Sequence, residues 1–239
     1  MRINKFMAEC GVGSRRFCET LIIEGRVSVN ETIVKNLGFQ VDEAKDAVCL
    51  DKKKLILVDK KYYILLNKPQ GYLCTNTDPY NRLIARSLIE IKDRLYTIGR
   101  LDLNTEGLII FTNDGTLAHR LAHPNYKVEK TYELKINTPI ENKDIQEITK
   151  GGIVLEEGKT LPAKLKILNK SKKILMLIIS EGKKRQIRRV FKILGYNVLH
   201  LKRTGIGNIT DKKLGIGKYR FLTKTEISYL KKSVNYENF

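Results

Sequence analysis

The sequence predicts an α+β protein in two parts: a small module over residues 1–60, and a mixed, mainly antiparallel sheet domain over residues 61–239. Three observations predict it. Apolar residues recur at helical spacing near the start and at strand-like spacing after Tyr62. A lysine-rich stretch, Lys52-Lys53-Lys54 and then Lys60-Lys61, marks the junction between them. The strands and helices that follow alternate hairpins with crossovers, the order of an α+β sheet and not of a doubly wound one.

In the first part, Ile3, Phe6 and Met7 form a helical face that Gly11-Val12-Gly13 interrupts. Ser14 then suits the N-cap of a second helix in which Phe17, Leu21 and Ile22 share a side, and Gly25 ends it. Val27, Val29, Ile33 and Val48 suggest short strands around an Asn30-Glu31 turn. In the second part, segments 62–66, 107–112, 131–136, 163–168 and 175–180 read as strands. Segments 114–122, 141–150 and 184–194 read as helices, the middle one bracketed by Pro139 and Gly151-Gly152.

The composition narrows the function. With 42% hydrophobic residues the 239-residue chain can bury a core, and its longest apolar runs are too short to cross a bilayer. The start, Met1-Arg2-Ile3-Asn4-Lys5, lacks the apolar run of a secretory leader, so a cytoplasmic, membrane-free protein is expected. Cys10, Cys18, Cys49 and Cys74 form no metal-type or disulfide-type spacing and read as reduced thiols.

The net charge of +19 is unevenly spread: residues 160–239 hold 20 basic and 4 acidic side chains, whereas residues 1–60 hold 11 and 9. A polyanionic partner explains such a concentration, because each neutralised phosphate releases counterions. The basic stretch is broken by strand-like segments and glycine turns, so nucleic acid suits it better than a lipid surface.

Several chemistries lack their residues. No phosphate-binding loop and no dinucleotide fingerprint occurs, so no nucleotide cofactor is expected. His119 and His123 have the i, i+4 spacing of a helical zinc site, but Arg120 stands where such a motif places its glutamate, and no metal is expected. Asp102 and Glu106 form a carboxylate pair in a glycine-flanked turn leading into the apolar strand Leu108–Phe111. Such a pair could supply a nucleophile, act as a glycosidase-like acid and base, or simply shape a turn. The basic helix around Arg185, Arg188, Arg189 and Lys192 has an apolar stripe of Ile187, Val190, Phe191 and Leu194. It is therefore packed, and its cations suit phosphate or a buried carboxylate.

At this point the motifs resemble a known family. Gly99-Arg100-Leu101-Asp102-x-x-Thr105-x-Gly107-Leu108 is similar to the central motif of bacterial ribosomal RNA pseudouridine synthases. Asn67-Lys68-Pro69-Gln70-Gly71, Thr112-Asn113-Asp114-Gly115, Glu129-Lys130-Thr131-Tyr132, the run from Glu181 to Arg189, and Leu201-Lys202-Arg203 match further family motifs in order. Residues 1–60 resemble the small αL RNA-binding domain named after a small-subunit ribosomal protein, through Ile3–Phe6, Ser14–Arg16 and Gly25–Asn30. Lys183-Lys184 departs from the pattern, standing where relatives usually carry an arginine and a polar residue.

The resemblance implies a cofactor-independent isomerase with ribosomal RNA as partner, active as a monomer. It implies Asp102 as the catalytic carboxylate, Tyr132 stacked on the target uracil, Arg188 paired with Asp102, Leu201 lining the pocket and Arg100 beside the substrate. It also implies RNA contacts at Lys5, Arg15, Arg16, Arg26, Lys68, Arg185 and Arg189. The stretch from Thr75 through Asp78-Pro79 to Arg82 looks closer to large-subunit synthases than to the small-subunit enzyme. The alternative from another class is a non-catalytic ribosome assembly factor on the same scaffold, which needs the basic surfaces but not Asp102, Tyr132 and Arg188 together. A glycosidase acting on nucleic acid is a third.

Overall fold

The computed structural model describes residues 1–210 and 214–236. Its contacts divide the chain into one unit of Met1–Lys61 with Ile91–Arg94, and another of Tyr62–Glu90 with Leu95–Phe239. Among the described residues no helix is long and apolar enough to cross a membrane.

In the first unit, helix α1 (Ile3–Glu9) packs against α2 (Arg15–Ile23) through Ile3, Phe6, Met7, Leu21 and Ile22, all buried. Ser14 caps α2 as its spacing suggests, its hydroxyl accepting the Phe17 N–H at 3.0 Å. Strands β1 (Val27–Val29), β2 (Thr32–Ile33), β3 (Val48–Leu50) and β4 (Lys53–Lys54) form a sheet in the order β2-β1-β3-β4. Asn30 and Glu31 both take positive φ, 48° and 68°, the geometry that a two-residue hairpin needs to match strand twist.

The second unit is built on a nine-stranded sheet. In chain order its strands are β5 (Tyr63–Lys68), β6 (Tyr96–Ile98), β7 (Glu106–Thr112), β8 (Lys130–Ile136), β11 (Lys164–Ile167), β12 (Ile174–Ile179), β13 (Val198–Ile206), β14 (Ile209–Thr210) and β15 (Tyr219–Phe221). A separate hairpin joins β9 (Val154–Leu155) and β10 (Gly158–Lys159). The sheet runs β11-β12-β8-β13-β7-β5-β15, with β6 on β7 and β14 on β13. Every neighbouring pair is antiparallel except β13 with β7, where Lys202 lies opposite Glu106 and Arg203 opposite Gly107. This is the mixed, mainly antiparallel domain expected from the sequence.

Helices α3 (Gly115–Ala122) and α6 (Lys224–Ser233) close one core with Leu65, Leu108, Ile110 and Ile206. Helix α4 (Asn142–Lys150) packs on β11, and α5 (Gln186–Ile193) on β13. Three expected helices and five expected strands thus form within a few residues of their sequence positions. Strand β13 and helix α6 were not expected. Val198–Ile206 mixes His200, Lys202 and Arg203 with apolar residues, which hides a strand from any simple alternation.

The parallel junction positions the site. Gly107 has φ 108°, and a Cβ there would meet the Arg203 carbonyl oxygen at 2.2 Å, so only glycine lets β7 enter beside β13. The four residues before β7, Asp102 to Thr105, form the turn that delivers the carboxylate.

Candidate active site

A cleft of about 670 Å³ opens beside this turn. Its walls are the loop after β5, the Gly99–Leu103 turn, and the loop from Gly182 into α5; Tyr132 and Leu201 lie between them.

Asp102 is half-buried at the wall of the cleft. Gly99, at φ 68°, turns the chain after β6, and the Leu101 N–H donates to Cys74 Sγ at 3.4 Å. The Asp102 carbonyl accepts the Thr105 N–H at 3.0 Å, which closes the turn and leaves the carboxylate without a protein hydrogen bond among the described residues. Tyr132 and Leu201 are 8% and 4% exposed and face the cleft from adjacent strands. They give it an apolar floor beside an anionic group.

Two cations feel the Asp102 charge through space. The first is Arg188, on α5. Its Nη1 donates to the Val198 carbonyl and its Nη2 to the Asn104 carbonyl, both at 2.8 Å. The expected direct pair is not formed: the fork reaches the backbone of the aspartate turn and holds it in place. Burial lowers the pKa of Arg188, and the Asp102 charge opposes that shift.

The second is Lys68, where the structure corrects the sequence reading. It was expected on RNA but is 0% exposed, and Nζ donates to the Pro69 carbonyl at 2.7 Å and the Tyr72 carbonyl at 3.0 Å. The ammonium turns back onto the loop that follows β5, so its charge is satisfied inside the protein. Burial pushes the lysine pKa down; Cys74, Asp102 and Glu106 oppose this.

The remaining arginines divide by partner. Arg100 and Arg185 are exposed on the cleft wall with no acidic partner among the described residues. Arg189 instead donates to Glu157 at 2.6 Å, and Arg26 forks onto Asp51 at 3.0 and 2.6 Å, so neither is a free cation for phosphate. Both partners lie more than twenty residues away, beyond what local sequence shows. Arg15 and Arg16 project openly from the first turn of α2, while Lys5 lies 3.7 Å from Glu9.

Sequence reading missed a buried polar network below the arginine loop. Glu181 accepts from the Leu161 N–H at 2.8 Å, from Gln186 Nε2 at 2.6 Å and from Lys183 Nζ. Gln186 Oε1 in turn accepts the Lys183 N–H at 3.0 Å. The network fixes the entry to α5, where Arg185 takes φ 49°. Lys183, an unusual residue in the motif, is thus bound inside the protein.

The family model described as RNA pseudouridylate synthase matches residues 62–192, and the S4 domain model matches residues 1–48. An uncharacterised RNA pseudouridine synthase of Aquifex aeolicus is 42% identical, over 98% of this chain and 95% of that one. The ribosomal large subunit pseudouridine synthase B of Bacillus subtilis is 40% identical, over 96% and 95%. A solved crystal structure of a pseudouridylate synthase superposes with a TM-score of 0.71 at 34% identity, over 96% and 99% of the two chains. With the motif order, the sheet and the cleft in agreement, the chain belongs to the RNA pseudouridylate synthase family and carries an N-terminal S4 domain.

Proposed function

We propose that this enzyme converts one uridine of large-subunit ribosomal RNA to pseudouridine, with Asp102 as the reacting carboxylate. The observation that carries the reading is the placing of Asp102: an acceptor without a protein hydrogen bond, at the wall of a cleft floored by Tyr132 and Leu201. The relative from Bacillus subtilis, named for the large subunit, supports the choice of RNA.

The reaction breaks the C1′–N1 bond, rotates the uracil and joins C5 to C1′. The C5 proton leaves and N1 gains one, so no external group is consumed. A detached uracil must be kept from escaping, and the apolar floor suits that. Tyr132 would stack on the base and offset part of the cost of taking it out of the helix. Leu201 would close the pocket beside it.

Lys68 and Arg188 lie within electrostatic reach of Asp102 without bonding to its carboxylate, leaving its oxygens for substrate. Arg100 and Arg185, open on the wall, would take the phosphates that flank the target. Lys5, Arg15 and Arg16 would hold a folded RNA element by shape.

The test is single-turnover conversion of in vitro transcripts of large- and small-subunit rRNA, with pseudouridine mapped at nucleotide resolution. Wild type should modify the large-subunit transcript, and Asp102→Asn should bind it without conversion, because the amide can neither add to substrate nor accept its proton. Conversion confined to the small-subunit transcript would overturn the choice of RNA. Near-wild-type conversion by Asp102→Asn would overturn its catalytic role.

A further inference from the structure

The loop between β5 and β6 forms a second wall of the cleft, and its tip is ordered by its own side chains. At its base Leu73 pairs with Ile84: the Leu73 N–H donates to the Leu83 carbonyl at 2.9 Å, and the Ala85 N–H to the Leu73 carbonyl at 2.8 Å. At its tip the Asp78 carboxylate accepts the backbone N–H groups of Tyr80 and Arg82 at 3.1 and 3.0 Å. The Arg82 guanidinium also forks onto Asp78, with Nη2 to Oδ1 at 2.5 Å and Nε to Oδ2 at 3.1 Å. Thr75 Oγ1 ties the loop further by donating to the Thr77 carbonyl at 2.8 Å.

The same fork places the guanidinium carbon of Arg82 5.2 Å from the centre of the Tyr80 ring. The ring is therefore positioned, yet it stays 77% exposed. An aromatic side chain held in place but left in water is a surface prepared for a planar partner. Thr75, Thr77, Asp78 and Arg82 line the cleft that holds Asp102. The wall formed by the loop into α5 presents exposed Lys184 and Arg185 to the same cleft.

We infer that the Tyr80–Arg82 pair is a stacking platform for a nucleobase flanking the target uridine, and so helps to choose which uridine enters the cleft. The inference rests on the RNA-modifying reading above. Three features favour a nucleobase over a protein side chain. Asp78, Asn81 and Arg82 flank the ring in the loop, with Pro79 and the exposed Leu83 as the apolar residues beside them, so its surroundings are mainly polar. The Arg82 charge is engaged by Asp78, which leaves the pair nearly neutral, better suited to a base face than to phosphate. The anionic backbone of the same strand would meet Lys184 and Arg185 in the cleft.

The experiment uses the full chain and a fluorescein-labelled large-subunit rRNA fragment spanning the mapped site, with anisotropy reporting affinity. A set of fragments carries one abasic nucleotide at each position around the target. Tyr80→Ala should weaken binding of the intact fragment on the order of tenfold or more, and Tyr80→Phe should recover most of that loss. The loss should vanish on one abasic fragment, the one lacking the stacked base, and persist on the others. In single-turnover assays the same variant should raise the half-saturating enzyme concentration more than it lowers the rate at saturation. Binding by Tyr80→Ala within twofold of wild type would overturn the proposal. So would an equal loss on every abasic fragment, which would mean a general effect on the loop. Wild-type conversion of the intact fragment reports on the isomerase reading alone, so the two readings fail separately.

Discussion

The guanidinium of Arg188 is bonded to the carbonyl oxygen of Asn104 at 2.8 Å, two residues beyond Asp102, and its other arm to Val198. One planar fork thus ties helix α5 and the start of β13 to the turn that carries the carboxylate. A lysine carries the same charge but its single ammonium cannot reproduce both bonds. Arg188→Lys is expected to fold and bind RNA, and to convert about 100-fold more slowly, the cost of a small misplacement of a reacting group. Single-turnover conversion at saturating enzyme, beside a binding curve, checks it; an unchanged rate would show that the field alone suffices.

Gly107 lies where β7 runs parallel to β13, with φ 108° and the Arg203 backbone occupying the space a Cβ would need. Gly107→Ala adds both backbone strain and a clash with main chain that cannot rotate away. It should destabilise the sheet domain by about 3 kcal/mol or more. Thermal unfolding should move down by roughly 5–10 °C for a chain of this size. A shift near zero would mean that the strands separate freely at this junction.

Lys130, two residues before Tyr132, has its pKa pushed down to about 8 by burial first and by Arg203 second, with Glu181 opposing them. Between about pH 8 and 10.5 the unfolded chain holds this proton and the folded chain does not, so the lysine makes stability rise with pH across that window. Below pH 8 both states are protonated and the burial cost is present in full. Lys130→Met should therefore be more stable than wild type at about pH 7, and the difference should shrink as pH rises toward 10.5. Parallel urea titrations at several pH values measure this; a constant difference would place the proton in the same state throughout.

The basic loop gives a salt-dependence test that separates free arginines from paired ones. Reversing Lys184 and Arg185 together, K184E with R185E, should lower the slope of log affinity against log salt by about 0.7–0.9 for each phosphate that is no longer neutralised. Arg189→Glu should change the slope little, because Arg189 is already bonded to Glu157. It should instead loosen the β9–β10 hairpin. Equal slope changes in both variants would show that the Glu157 pair opens on RNA.

Local elements and the identity of the motifs are legible in the residues alone. Ser14 caps α2, the Asn30-Glu31 pair turns a hairpin, and the apolar stripe of α5 packs as its spacing requires, because these depend on residues within a turn or two of one another. The order from Asn67 to Arg203 located the aspartate turn and the arginine helix without any coordinates. Which charges are available is set by the fold. Lys68, Arg26 and Arg189 read as cations for RNA, yet the first is buried against carbonyl groups and the others are held by Asp51 and Glu157. Arg188 reaches across 84 positions to a backbone carbonyl, not to the carboxylate its motif suggested. Charge is a property of the residue, whereas its partner is set by which distant strands the sheet brings together, and β13, whose polar residues hid it, is the strand that does so here.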